Sequence, residues 1–284
     1  MPSTPNFQSI AQNLAPKLGL SNPVFEAKGA YKETFKAIDK SKNEVALKIF
    51  DPNKCNAERS EREINAMKKC DHEFIGKLFG FGEISIPTAQ TVLFSIEEFF
   101  NGGTLTDRIK KATLDINDLK KIAVALSKAI LYLKTLDLVH RDIKPDNIMY
   151  KADGSPMLVD FGLVRNLSES SLTMSWIPRG PGTPLFSSPE QLNNEKALID
   201  WRSDQFSLGI VLGYCCQNFH PFIKKTEGDA QAVENVSKRL EPPQDYLDFC
   251  LQNKLDPLIQ MLAPWPIKRF NEPDELINAL EGMG

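Results

Sequence analysis

The chain has 284 residues, 42% of them apolar and 25% charged, with a formal net charge of −3. That length holds one large domain or two moderate lobes with a sizeable core, and so small a net charge argues against the basic field that nucleic-acid binding uses. Five scattered cysteines, odd in number and without a CxxC pair, point to free thiols in a reducing compartment rather than to zinc or disulfides. The longest apolar run, 206–216, is well short of a membrane span, and the first residues lack a cationic start followed by an apolar block. A soluble, cytoplasmic protein is expected, a reading that also admits a secreted effector working inside another cell.

Residues 1–23 are rich in Pro, Ser and Asn. Phe7, Ile10, Leu14 and Leu18 recur at helical spacing and fit a short docked helix; a frayed tail fits the composition as well. From residue 24 the pattern turns strand-like, two extended segments flanking a polar turn near 39–43. Residues 45–50, Val-Ala-Leu-Lys-Ile-Phe, read as a buried strand with one charge in it, Lys48. A lone lysine in such a strand ordinarily snorkels from an edge. Residues 56–69 predict a charged helix that contains Glu63 and offers Ile64, Ala66 and Met67 for packing. Strands are expected at 75–81 and 91–100, which makes a small, mostly antiparallel lobe of five strands and one helix.

Asn101-Gly102-Gly103 breaks the pattern and reads as a hinge. Residues 116–136 then place Ile116, Leu119, Ile122, Ala123, Leu126, Ile130 and Leu133 on one stripe of a long amphipathic helix. The next run, His140-Arg141-Asp142-Ile143-Lys144-Pro145-Asp146-Asn147, packs a candidate base, cations and a metal-capable amide into eight residues. Asp160-Phe161-Gly162 follows. Residues 148–150 and 157–159 predict a short hairpin around Ala152-Asp153-Gly154. Residues 163–187, Ser/Thr-rich and punctuated by Pro and Gly, predict a long mobile loop, of a kind that compact domains use for function or leave disordered. Helical patterns resume at 204–216, 230–239, 246–262 and 275–282.

Several of these features recur in a recognisable order: Val-Ala-Leu-Lys ending at Lys48, Glu63, His-Arg-Asp at 140–142, Asn147, Asp-Phe-Gly at 160–162 and Ser-Pro-Glu at 188–190. Each is weak alone; together, across 24–282, the chain resembles the eukaryotic-type protein kinase family, on its serine/threonine side. The resemblance implies an α+β, bilobal protein-kinase-like fold: an extension over 1–23, an N-lobe over 24–100 with a small antiparallel β-sheet and one main helix, and a larger, mostly helical C-lobe over 101–284. It implies ATP and Mg2+ as cofactors and a protein substrate, in a reaction governed by positioning and charge neutralisation. Lys48 resembles the lysine that reaches the nucleotide's α- and β-phosphates, and Glu63 the glutamate that pairs with it. Asp142 is implied as the base, Lys144 as the cation beside the transferring phosphate, and Asn147 and Asp160 as magnesium ligands. The nucleotide contacts implied are Ala27, Gly29, Ala46, Lys48, Glu98, Phe100, Met149 and Asp160.

Supporting positions match as well. Asp204 resembles the aspartate that anchors the catalytic-loop backbone, and Arg269 the arginine that pairs with Glu190. His140, Phe161, Met67 and Leu78 fall where the family stacks an apolar spine. Lys144 and Thr183 point to serine/threonine specificity. Arg141 precedes the base, as in kinases switched by a phosphate on the following loop; Ser168, Ser170, Ser171, Thr173 and Ser175 are the candidates, with a merely flexible loop as the alternative. A regulatory protein partner is a second route of control.

Two stretches depart from the pattern. The phosphate-covering loop, Ala27-Lys28-Gly29-Ala30-Tyr31-Lys32-Glu33-Thr34, keeps one glycine of three, and glycines there allow close backbone approach to phosphates; Lys32 adds positive charge instead. The residue at the back of the nucleotide pocket is Glu97, or Ile96 if the register slips by one, and a carboxylate there must be paired or hydrated. The sequence therefore supports an active serine/threonine protein kinase first. A nucleotide-binding pseudokinase scaffold comes second and a small-molecule kinase on the same fold third.

Overall fold

The computed structural model describes residues 6–29, 31–53, 57–85, 91–112, 114–161, 165–166 and 184–284. They divide into two compact units, the first ending at Asp71 and resuming over Gly76–Phe100, the second formed by His72–Ile75 and Asn101–Gly284.

The first unit opens with helix α1 (Phe7–Leu14), capped by the Asn6 side chain, which accepts from the Ser9 amide at 3.1 Å. A 3-10 turn, Ala15–Leu18, follows and ends at left-handed Gly19. The helical spacing at the N-terminus is thus a docked helix and not a frayed tail. Phe7, Ile10 and Leu14 are buried in one cluster with Phe35, Leu47, Ile49 and Val92. Leu14→Ala is expected to destabilise this unit by about 2–5 kcal/mol, read as a lowered denaturation midpoint by circular dichroism.

Strands β1 (Ser21–Lys28), β2 (Lys32–Ile38), β3 (Glu44–Phe50), β4 (Leu78–Ser85) and β5 (Thr91–Glu98), with helix α2 (Ala57–Lys69) between β3 and β4, complete the unit. The sheet order is β1-β2-β3-β5-β4 and every neighbouring pair is antiparallel. The β2–β3 turn is closed by Asp39, whose carboxylate accepts from the Asn43 amide at 2.8 Å. Alternation along the strands separates two faces. Phe35, Val45, Leu47, Ile49 and Phe94 go to the α1 side, leaving Thr34, Ala46, Lys48, Ser95 and Glu97 in register on the other.

The strand expected at 75–81 begins later, at Leu78. Ile75 is buried in the second unit instead, bridged to Leu158, while the Leu158 amide donates to the Phe74 carbonyl at 2.9 Å. Backbone donors and acceptors already committed there cannot also extend β4.

The second unit is mainly helical. Helix α3 (Leu105–Lys111), which the apolar pattern did not reveal, is set by a capping box between Thr104 and Asp107. Helix α4 (Ile116–Thr135) buries the expected stripe from Leu119 to Leu133, but Ile116, at its first position, is 38% exposed. Strand β6 (Leu138–Val139) pairs with β9 (Arg165–Asn166), and β7 (Ile148–Tyr150) with β8 (Pro156–Leu158), the predicted hairpin. Helices α5 (Pro189–Leu192), α6 (Trp201–Gln217), α7 (Asp229–Ser237), α8 (Gln244–Gln252), α9 (Asp256–Met261) and α10 (Pro273–Glu281) follow. The single helix expected over 246–262 is two, because Lys254 turns left-handed at φ 53° and Pro257 bars a continuous helix. At the expected hinge Gly102 is required by contact: its amide donates to the Tyr150 carbonyl at 3.0 Å, and a Cβ there would meet that oxygen at 2.5 Å.

Most of the loop expected at 163–187 lies outside the described residues, and with it Thr183 and the candidate phosphorylation sites Ser168, Ser170, Ser171, Thr173 and Ser175. Cys70, Cys215, Cys216 and Cys250 are free thiols. Among the described residues no helix is long and apolar enough to cross a membrane.

Candidate active site

The chemistry-bearing run of the second unit lies between β6 and β7. Its backbone hangs from Asp204 in the first turn of α6: the His140 and Arg141 amides donate to the two carboxylate oxygens at 2.7 and 2.8 Å. Burial pushes the Asp204 carboxyl up to about 7 against the pull of those two amides. His140 is fully buried; its Nδ1 accepts from the Asp142 amide at 3.3 Å and its Nε2 faces the Val159 carbonyl. Burial lowers its pKa to about 4, so it is neutral near pH 7. It meets Phe161 edge-on, ring centroids 5.0 Å apart, as the expected spine requires within this unit; Met67 and Leu78 belong to the first unit.

Asp142 is the centre of this loop. One carboxylate oxygen, Oδ2, accepts from Lys144 Nζ at 2.8 Å and from Asn147 Nδ2 at 2.9 Å, and Asn147 also donates to the Asp142 carbonyl at 2.8 Å. Burial raises the Asp142 pKa, with the Lys144 ammonium as the main opposing influence; the side chain keeps 20% of its surface exposed, so water tempers the push. Arg141 and Asp160 both take left-handed backbone, at φ 68° and 67°. Such conformations cost an L-residue about 1–2 kcal/mol and gather at functional sites.

A second framework holds the loop from the Ser-Pro-Glu side. Gln191 of α5 donates to the Arg141 carbonyl at 2.9 Å. Glu190 and Arg269, both wholly buried, form the expected pair in two-pronged geometry, Nη1 to Oε1 at 2.7 Å and Nη2 to Oε2 at 3.0 Å. The Ser203 hydroxyl donates to Oε1 as well. Burial pushes the Glu190 carboxyl up, but Arg269 and Ser203 outweigh it and hold it below its ordinary range.

The first unit carries the other predicted residues. Ala27 lies exposed on β1, and the Gly29 amide closes the β1–β2 turn on the Lys32 carbonyl at 2.8 Å; Ala30 lies outside the described residues. Ala46 and Lys48 share the sheet face away from α1, opposite Glu97 and Ser95 respectively. Glu98 ends β5, Phe100 is buried beyond it, and Met149 sits in β7 of the second unit.

The ion pairs in the first unit differ from expectation. Lys48 does not take Glu63 as its partner: its ammonium meets Glu97 Oε2 at 2.5 Å, while Glu63 is ion-paired with Lys32. Register is the cause. Ser95 stands directly across from Lys48, and Glu97 is the next residue of β5 on that face. The Ser95 hydroxyl donates to Glu97 Oε1 at 2.6 Å and so turns Oε2 to the lysine. The same register sends Ile96 to the α1 side, against the core cluster, so Glu97 and not Ile96 shares a face with Lys48. Glu97, Ser95 and Lys32 are thus site residues that motif reading did not pair; the signal was the Ser-x-Glu spacing on β5 across from a strand lysine.

A family model described as "Protein kinase domain" matches residues 27–276. The chain is similar to the probable serine/threonine-protein kinase PknB of Bifidobacterium longum, 32% identical over 70% of this chain and 30% of that protein. It is similar to a probable myosin light chain kinase of Dictyostelium discoideum, 28% identical over 88% of this chain and 79% of that protein. It also resembles calcium-dependent protein kinase 5 of Plasmodium berghei, 32% identical over 71% and 35% of the two chains. This chain spans about a third of the length of the first and third of these relatives.

Proposed function

This chain belongs to the protein kinase domain family, and from that premise we propose that it is an ATP-dependent serine/threonine protein kinase. The observation that carries the proposal is the Asp142 carboxylate, held between Lys144 and Asn147 on a loop suspended from Asp204. A protein Ser or Thr hydroxyl gives its proton to Asp142 as its oxygen bonds to the γ-phosphorus. The bond from that phosphorus to the β–γ bridging oxygen breaks, and ADP leaves. Lys144 stays beside Asp142 and offsets negative charge on the transferring group. Lys48 supplies the cation for the nucleotide phosphates, and Ala27, Gly29, Ala46, Glu98, Phe100 and Met149 are proposed to line the nucleotide.

Asn147 and Asp160 are the residues that would hold Mg2+. The donor set fits: Asn147 spends its amide nitrogen on Asp142 and keeps an oxygen for a hard cation. Two oxygen donors suit an ion that takes few protein ligands and completes its shell with phosphate oxygens and water. When bound, the ion neutralises phosphate charge. Free thiols favour a cytoplasmic setting, and protein substrates and a regulatory protein partner complete the proposal.

Labelled-ATP transfer to Ser/Thr and Tyr peptides in magnesium buffer tests the reading; transfer to Ser or Thr is expected, and nucleotide binding without transfer would instead support a pseudokinase. That second reading draws on the lost loop glycines and on Lys48 being paired with Glu97. Lys144→Met supplies a finer check. Removing the ammonium takes away the main influence that lowers the Asp142 pKa, so that pKa rises and the acid limb of kcat/KM moves to higher pH. A limb that stays put or moves down would show that Asp142 is not the titrating base.

A further inference from the structure

We infer that Glu97, not Glu63, is the residue that positions Lys48, and that Glu63 positions a second lysine, Lys32, on the same sheet face. The inference deepens the phosphotransfer reading above and rests on it.

All four side chains belong to the first unit and all are largely buried: 12% exposed for each lysine, 5% for Glu63 and 6% for Glu97. Buried charges of this kind are tolerated when paired and hydrogen-bonded, and here each cation meets a carboxylate. Glu97 is fixed from two sides, Ser95 holding one oxygen and Lys48 the other. Lys32 is opposite Phe50, its ammonium 5.3 Å from the ring centre, and its charge is met by Glu63 from α2.

The strand register makes this a two-lysine array. Lys48 stands across from Thr34 and Lys32 across from Phe50; the two lysines are therefore diagonal neighbours on adjacent strands, about 7–8 Å apart at the backbone. An ammonium has three donors, so Lys48, which gives one to Glu97, has others for phosphate oxygens. In this arrangement α2 holds β2, the strand leaving the glycine-poor loop, rather than β3. A second cation at that strand offsets what the missing glycines remove, namely close approach of backbone amides to an anion.

Two measurements on the full chain test this. In nucleotide-free thermal unfolding, Lys48→Met, Glu97→Gln and the double variant form one cycle, and Lys48→Met, Glu63→Gln and their double another. Coupling is expected in the first cycle and near-additivity in the second. In steady-state transfer, Glu97→Gln is expected to lower kcat by about tenfold or more, with little further loss when it is added to Lys48→Met. Glu63→Gln is expected to match Lys32→Met, both acting mainly on the KM for ATP.

Coupling of Lys48 to Glu63 in place of Glu97 would overturn the inference, as would Glu97→Gln leaving kcat unchanged or raising it, the mark of a carboxylate that merely sequesters Lys48. A wild-type chain that transfers no phosphate overturns the proposed function. An active wild type without Lys48–Glu97 coupling overturns this inference alone.

Discussion

Asp142→Asn is expected to lower phosphoryl transfer by about 100- to 10,000-fold, the range that a positioned general base contributes, while the chain stays folded. The amide is the same size as the carboxylate and its oxygen can still accept from Lys144 or Asn147, so the loop keeps its shape; what is lost is the capacity to take the hydroxyl proton. The Asp204 anchor acts on the His140 and Arg141 amides and is untouched. Steady-state transfer beside a thermal unfolding curve separates the two effects. A variant as active as the wild type would remove Asp142 from the mechanism, and one that unfolds early would make its role structural.

The largest loss of stability is expected at Arg269→Met, about 3–5 kcal/mol by denaturant unfolding, because it strands the wholly buried Glu190 charge. The double variant Glu190→Met/Arg269→Met is expected to be less destabilised than Arg269→Met alone, since no unpaired charge remains. A pH series adds a sign. In the wild type the Glu190 pKa lies below its unfolded value, so its stabilising contribution is present above the unfolded pKa and lost as pH falls through the folded one. Without Arg269, burial dominates and the folded pKa lies above the unfolded one. The variant then recovers stability towards acid, full below the unfolded pKa and fading as pH rises through the folded value. A destabilisation that is independent of pH would place its origin in lost packing against Phe206, over whose ring the guanidinium lies at 4.6 Å, and in the Ala263, Arg202 and Pro264 carbonyls to which Arg269 donates.

Much of the second unit's site was legible in the chain because its contacts are local. Asp142, Lys144 and Asn147 lie within five residues of one another and hydrogen-bond among themselves, so a short motif contains both the groups and their geometry. Amphipathic spacing placed α4 and α1 for the same reason: a helix repeats over a few residues. The Glu190–Arg269 pair, 79 residues apart, was reachable only through likeness to a family, since nothing near either residue announces the other. Helix α3 was missed because its signal is a cap and not an apolar stripe.

The sequence by itself determined that Lys48 lies in a buried strand and that Glu63 lies in a helix, since alternation and helical spacing are properties of single segments. Which carboxylate meets which lysine was decided only in the folded sheet. The β3–β5 pairing is a long-range register, and a slip of one residue would turn Ile96 to the Lys48 face and Glu97 to the α1 core. Ladder hydrogen bonds and the apolar face packed under α1 select the register that sets Ser95 across from Lys48. Glu97 follows from that choice, as does the pairing of Glu63 with Lys32.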